Sequence, residues 1–248
     1  MLQKKQFPLC LVEKHFVSST SLELCFERPD GSPVTYVPGQ FFSFHLPESS
    51  GGKTRSYSVA NRCDNIRDNR ELRITATLIP DGAASEFFRH AEPGATVDAS
   101  GPFGNLVLPA ADPRRYILVA TGAGVAPYRA MLPQLAERLQ SNSALMVELI
   151  LGVQTPAELL YADEFRAMAA EHAGFVFRAC FSRAEPQQAD EYAGYVQAQL
   201  QTLSPDPEQD RIYLCGNPAM VDDTVKLLTP AGFTPATLKR EKYLFSRL

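Results

Sequence analysis

The sequence predicts a two-domain fold: an antiparallel β-barrel over residues 1–110, then a doubly wound parallel α/β domain over residues 111–248. Three observations predict it. Before about residue 110, short alternating segments are separated by turn residues, the pattern of a small antiparallel barrel. After it, continuous apolar runs alternate with helical stretches, the pattern of a parallel sheet covered on both faces. The 248 residues, 45% of them hydrophobic, suffice for two ordinary domains, each with its own core.

In the first half, Phe7–Val17 and Ser21–Glu27 read as paired strands. Phe41–Leu46, Arg55–Ala60, Glu71–Ile79 and Thr96–Ser100 continue the series. Turns are expected at Pro29-Asp30-Gly31, Pro38-Gly39, Gly51-Gly52, Pro80-Asp81-Gly82 and Pro93-Gly94. Ser85–Ala91 is the one helix candidate. In the second half, strands are expected at Tyr116–Ala120, Leu145–Val153, Phe175–Phe181, Ile212–Cys215 and Thr237–Phe245. Helices are expected at Pro127–Gln140, Pro156–Ala170, Tyr192–Thr202 and Pro218–Thr229. In such a sheet a ligand lies beyond the carboxyl ends of the strands. The turns after Ala120, Val153, Phe181 and Cys215 are therefore the ones to inspect.

Composition narrows the function. The formal net charge of -4 disfavours a general nucleic-acid binder. No apolar run is long enough to span a bilayer, and Met1–Lys5 lead into no signal-like segment, so a cytoplasmic location is expected. Cys10, Cys25, Cys63, Cys180 and Cys215 are odd in number and form no C-x-x-C pair. The four histidines show no zinc spacing, so no metal site is expected. An electron carrier here would have to be organic.

Five segments can carry chemistry. On a strand, Arg55 and Tyr57 face one way and Ser56 and Ser58 the other. An arginine fork suits a pyrophosphate, a tyrosine ring offers a flat surface for a flavin, and a serine can donate to that ring's redox edge. The same four residues would also serve as an ordinary exposed strand. Pro80-Asp81-Gly82-Ala83-Ala84-Ser85 reads as a turn into a helix with Ser85 near its cap, where backbone N–H groups can take a phosphate. Any capped helix has that form. Thr121-Gly122-Ala123-Gly124-Val125-Ala126-Pro127 links a buried strand to a helix through glycines that admit close approach. Pro127 stands where the G-x-G-x-x-G fingerprint has its third glycine. Ser182 and Arg183 follow a strand and would suit a ribose 2′-phosphate, or form a plain surface loop. Cys215-Gly216-Asn217-Pro218-Ala219-Met220 again joins a strand end to a helix, with Cys215 at the crevice or simply buried.

Taken in this order, the R-x-Y-S, T-G-x-G-x-x-P and C-G-N-P-x-M segments resemble the ferredoxin–NADP reductase family, over residues 7 to 245. The length is similar to that of the bacterial ferredoxin/flavodoxin reductases without a fused iron–sulfur domain. The resemblance implies an enzyme that moves electrons between NADPH and ferredoxin or flavodoxin through FAD. It implies Arg55 on the FAD pyrophosphate, Ser56 beside it, Tyr57 against the isoalloxazine and Ser58 near its reactive nitrogen. Thr75 corresponds to a flavin-contacting position, and Ala83, Ala84 and Ser85 to the phosphates. Thr121, Gly122, Gly124 and Pro127 would line NADP(H), with Ser182 and Arg183 at its 2′-phosphate. Cys215, Gly216, Asn217 and Met220 would lie beside the nicotinamide. Tyr57, Ser58, Cys215 and Glu241 are the residues placed at the hydride-transfer centre.

The chain departs from the family at four places. Ala123 replaces a common threonine, and Gln154-Thr155-Pro156 lacks an arginine. Tyr195 stands where some members have another arginine, and the C-terminus lacks the terminal Glu-x-Tyr or Tyr-Trp ending. Lys53, Arg62, Arg67, Arg70 and Arg73 crowd the flavin motif and could steer an acidic carrier, or be scattered loop charge. A monomer is expected. The competing readings are a free-flavin or oxygenase reductase with another acceptor, and a flavin-binding subunit without turnover.

Overall fold

The computed structural model describes residues 6–48, 51–62 and 68–243. They form two compact units. One comprises the residues up to Leu108 together with Ala126–Met131; the other comprises Pro109–Val125 and the residues from Leu132 onward.

The first unit is built on six antiparallel strands: β1 (Phe7–Phe16), β2 (Ser21–Glu27), β3 (Phe41–His45), β4 (Thr54–Ser58), β5 (Glu71–Thr77) and β6 (Thr96–Phe103). Their order is β4-β3-β6-β1-β2-β5. The two edges meet where Val59 bridges Ile74 and the Ala60 amide donates to the Arg73 carbonyl at 2.8 Å, which closes the sheet into a barrel. Strict alternation decides what points inward. On β3, Phe42 and Phe44 are buried, while Phe41, Ser43 and His45 are half-buried. Leu9, Leu11, Leu24, Phe26, Leu72 and Ile74 complete the core around those two rings. Helix α1 (Ala83–His90) lays Phe88 into this core against Phe26 and Phe44.

The second unit is a parallel sheet of β7 (Arg115–Thr121), β8 (Met146–Val153), β9 (Phe175–Phe181), β10 (Glu191–Ala193), β11 (Asp210–Gly216) and β12 (Leu238–Lys242). Helices α2 (Ala126–Ser141, of which Ala126–Met131 belongs to the first unit), α3 (Ala162–Glu171), α4 (Val196–Thr202) and α5 (Pro218–Leu228) connect the strands. Strand order is β10-β9-β8-β7-β11-β12, so the winding reverses between β7 and β11. Ile117, Val119, Ile150, Ile212 and Leu214 form one face of the core with Val196, Leu200, Val221 and Leu228. At the far end of β7 and β11, Arg115 and buried Asp210 pair at 2.6 Å.

Most elements lie where the sequence places them, with three differences. The expected helix from Pro156 is a short turn, Pro156–Glu158, followed by α3. Tyr161 between them takes φ 58°, which a continuous helix excludes. The expected helix from Tyr192 begins instead with strand β10, and Gly194 (φ 97°) separates that strand from α4. Helix α1 starts at Ala83, two residues before the expected start, so Ser85 does not cap it. Its hydroxyl is buried and accepts the Ile79 amide at 2.9 Å. Cys63, Arg67 and the final part of the expected last strand, at Leu244 and Phe245, lie outside the described residues.

Candidate active site

In the barrel unit, β4 carries the R-x-Y-S motif. Tyr57 lies opposite Phe42 and Arg55 opposite Phe44, so both share the inward-facing row of β3. Tyr57 is half-buried and meets Phe44 and Phe88 edge to face, at 5.6 and 5.4 Å between ring centres. Burial pushes its phenol above the ordinary range, partly offset by Arg55, so it stays neutral. Helix α1 is thus seated on the motif strand through Phe88. The Arg55 guanidinium donates to the Thr54 carbonyl at 2.8 Å and pairs with no carboxylate among the described residues. Ser56, on the other row, is exposed and shares a 3.1 Å hydrogen bond with Ser43; Ser58 is buried. Thr75 is buried opposite Glu23, on the outer row of β5 that also holds Arg73.

These residues fit a dinucleotide flavin. A half-buried guanidinium without a carboxylate is the cation that a pyrophosphate requires. The first-turn amides of α1, at Ala83, Ala84 and Ser85, have no partner within the helix. The Ser85 side chain, being held by Ile79, is not available as an acceptor-side cap there.

The basic cluster is smaller than expected. Arg73 is bound by Glu71 at 2.9 Å, Glu23 at 3.1 Å and Glu13 at 3.3 Å, so its charge is spent within the barrel. Glu23 is buried and also binds Arg129 at 2.6 Å. Lys53 is half-buried, and Arg62 and Arg70 are exposed.

In the α/β unit, the switch point between β7 and β11 gathers most of the expected nucleotide residues. The β7 strand ends in a tight helical turn, Gly122–Val125. A Cβ on Gly124 would stand 2.6 Å from the Cys215 carbonyl carbon and 2.7 Å from Gly216 Cα, so only glycine lets the two turns touch. Gly122, at φ 52°, has open space where a side chain would project. Thr121 Oγ1 accepts the Asn217 amide at 2.8 Å, and Asn217 caps α5 by accepting the Ala219 amide at 2.8 Å. Such a crevice, with a bare glycine at its lip, fits a nucleotide.

Cys215 is buried, and burial holds its thiol well above the ordinary range. The adjacent Glu241 carboxylate adds to that shift, and a hydrogen bond from Tyr243 opposes it. Glu241 is the register partner of Cys215 across β11 and β12. A Glu-x-Tyr spacing is therefore present at Glu241 and Tyr243, set in from the end of the chain. Met220 faces the core and takes a contact from the Thr224 hydroxyl. Pro127 is buried in the first turn of α2.

Ser182 and Arg183 stand apart from the switch point, beyond β9. Their amides donate to the Val153 and Gln154 carbonyls at 3.1 and 2.9 Å, which lays them along the loop after β8. Arg183 is exposed and pairs with no carboxylate among the described residues; Tyr195, before α4, is 74% exposed.

A closed antiparallel barrel whose Arg55 pairs with no carboxylate among the described residues, and a switch-point glycine turn in a parallel sheet, define the class of flavin- and nicotinamide-dependent oxidoreductases. Comparison with known proteins agrees. Residues 8–108 match the model of the oxidoreductase FAD-binding domain, and residues 118–226 that of the oxidoreductase NAD-binding domain. The chain is 32% identical to ferredoxin–NADP reductase B of Sorangium cellulosum, over 89% of this chain and 90% of that protein. It is 29% identical to the toluate 1,2-dioxygenase electron transfer component of Pseudomonas putida, over 93% of this chain but 65% of that protein. A crystal structure of a ferredoxin–NADP+ reductase from Neisseria gonorrhoeae with bound FAD and NADP superposes with TM-score 0.81 and 25% identity, covering 97% of this chain and 99% of that one. The chain belongs to the ferredoxin–NADP reductase family. It is an enzyme, an FAD-dependent oxidoreductase that transfers electrons from NADPH to its flavin. No helix among the described residues is long and apolar enough to cross a membrane.

Proposed function

We propose that this protein is a cytoplasmic, monomeric reductase that passes electrons from NADPH to ferredoxin or flavodoxin. Residues 1–110 serve as its FAD domain and 111–248 as its NADP domain. The observation that carries this reading is the switch-point crevice, where Gly122 is bare and Gly124 lies against Cys215 and Gly216. Bound FAD supplies the conversion between two-electron and one-electron transfer.

The chain's own residues bind and orient. Arg55 and the α1 amides hold the pyrophosphate, Tyr57 backs the ring system, and Ser58 and Thr75 hydrogen-bond its edge. Thr121, Gly122 and Gly124 line the nicotinamide nucleotide. Ser182 and Arg183 hold its 2′-phosphate, supported by the exposed guanidinium, which pairs with no carboxylate among the described residues. Cys215 presents a neutral thiol, so no fixed negative charge at that position opposes a hydride donor. Glu241, the register partner of Cys215 on β12, serves at the edge of the hydride-transfer centre.

The test is an anaerobic titration of the FAD-loaded protein with NADPH and with NADH. NADPH should reduce the flavin faster. Arg183→Ala should raise KM for NADPH about 10- to 100-fold while changing NADH little, the loss of one charge-assisted contact. Equal losses for both nucleotides would remove the 2′-phosphate role. A second reading, an oxygenase reductase component, is favoured by the similarity to the toluate dioxygenase electron transfer component. Single-turnover reduction of ferredoxin, flavodoxin and an oxygenase-type iron–sulfur protein by the NADPH-reduced enzyme separates the two.

A further inference from the structure

Where the barrel closes, four residues form a ring of contacts that none of the roles assigned above uses. Just past β4, the Val59 amide donates to the Gln40 carbonyl at 2.9 Å and the Ala60 amide to the Arg73 carbonyl at 2.8 Å. The Ala60 carbonyl in turn accepts from Arg129 at 3.1 Å, and the same terminal nitrogen of Arg129 donates to Glu23 at 2.6 Å. The other Glu23 oxygen accepts from the Arg73 guanidinium at 3.1 Å. The ring therefore runs from Ala60 through Arg73, Glu23 and Arg129 back to Ala60. Arg129 lies in the first turn of α2, in the part of that helix that belongs to the barrel unit.

Burial decides which contact matters. Ala60 is fully buried, so its carbonyl has no bulk water to turn to when the guanidinium is removed. Glu23 is 3% exposed, but it keeps Arg73 whether or not Arg129 is present, so its charge is not stranded. Loss of Arg129 thus falls on the backbone at Ala60, two residues beyond Ser58. Ser58 is buried, opposite Phe41 in the last pair of β4 with β3. The segment from Ser58 to Ala60 is held on one side by β3 and Gln40, and on the other by the Val59–Ile74 bridge and the ring.

We propose that Arg129 is a positioning residue for flavin reduction: by holding the Ala60 carbonyl it fixes the end of β4, and so sets Ser58 at the reactive edge of the flavin. This rests on the reading that puts Ser58 at that edge. The same helical turn carries Pro127, assigned to the nucleotide, so the test separates an effect on rate from one on nucleotide binding.

Arg129→Met keeps the length of the side chain and removes its donors. In the FAD-loaded protein, hydrogen exchange at the Val59 and Ala60 amides should speed up about tenfold, the loss of one buried hydrogen bond. In anaerobic stopped flow, the limiting rate of reduction by NADPH should fall on the order of tenfold, with KM for NADPH held within about twofold. Ser58→Ala alone should slow reduction at least about tenfold. Because Arg129 acts through Ser58, adding Arg129→Met to Ser58→Ala should slow it by no more than about a further twofold. If Arg129→Met does not fold, Glu23→Gln/Arg129→Met, which also removes the buried charge, carries the same comparisons. Unchanged exchange overturns the proposal. Faster exchange at an unchanged rate overturns it too, since the ring would then only hold the fold. So does a rate loss that adds fully to that of Ser58→Ala, or a change confined to KM, which would put the effect at the nucleotide. A Ser58→Ala protein reduced at the wild-type rate overturns it from beneath, and faster exchange at Ala60 in Arg129→Met would show that the role of Ser58, not the ring, had failed.

Discussion

Replacing Gly124 with alanine tests the switch-point crevice most directly. The added methyl would be 2.6 Å from the Cys215 carbonyl carbon and 2.7 Å from Gly216 Cα, and closer still to the Cys215 oxygen. All three are backbone atoms, so no rotamer change relieves the overlap; one turn must move. Overpacking of this kind costs about 2–3 kcal/mol, which for a protein of this size is a Tm loss of roughly 5–10 °C. The movement displaces the very turns that would position the nucleotide. A shift near 1 Å in such positioning lowers the rate about 100-fold.

Gly122→Ala is the internal control. It meets no atom, and its cost is the left-handed φ of 52°, about 1 kcal/mol, with the methyl projecting into the open crevice. Gly124→Ala should therefore lower both Tm and the NADPH reduction rate, whereas Gly122→Ala should raise KM for NADPH with only a small change in Tm. Thermal melts by near-UV circular dichroism and stopped-flow flavin reduction read the two effects. A Gly124→Ala protein that melts and reduces like wild type would refute the close-packed crevice.

Three further outcomes are expected. Arg55→Ala should leave the barrel folded but release FAD on gel filtration; full retention would remove the pyrophosphate role. Arg115→Ala strands the buried Asp210 carboxylate, 2% exposed, and should cost about 3 kcal/mol in urea unfolding; a loss under about 1 kcal/mol would count against that pair. Cys25 and Cys180 are both pushed up to about 12 by burial, above the value near 9 of an unfolded thiol. Between those values the unfolded chain binds fewer protons than the folded one. Stability is then lost as pH rises above about 9, by up to ~1.4 kcal/mol per thiol per pH unit. The urea midpoint should fall across that window and flatten in Cys25→Ala/Cys180→Ala; an unchanged slope in that variant would assign the loss to other groups.

Much of the nucleotide half was legible because its signals are local. A buried apolar strand running into Thr121-Gly122-Ala123-Gly124 is written in consecutive residues, and so is the Asn217-Pro218 start of α5. What the sequence hid depends on partners far along the chain. Arg73 looked like a member of a basic patch, yet Glu13, Glu23 and Glu71 meet it only once β1, β2 and β5 are paired. No spacing in the sequence pairs Glu241 with Cys215; the resemblance put both at one centre, and parallel register makes them neighbours. Ser85 looked like a cap, but its hydroxyl answers Ile79 six residues earlier. Tyr161 broke an expected helix through a backbone angle that no periodicity encodes.

The seam of the barrel has a consequence for handling the protein. Among the described residues, strand β4 pairs along its length with β3, and its other side is fastened by the Val59–Ile74 bridge and the Ala60–Arg73 bond just past its end. The strand that carries Arg55 and Tyr57 is thus also one side of the barrel's seam. Any ligand that grips Arg55 and Tyr57 only while the edge is closed draws the opening equilibrium toward closure by mass action. Supplying FAD during refolding and storage would then act as a clasp on this edge. It would keep an otherwise open row of backbone amides and carbonyls from templating strand addition between molecules.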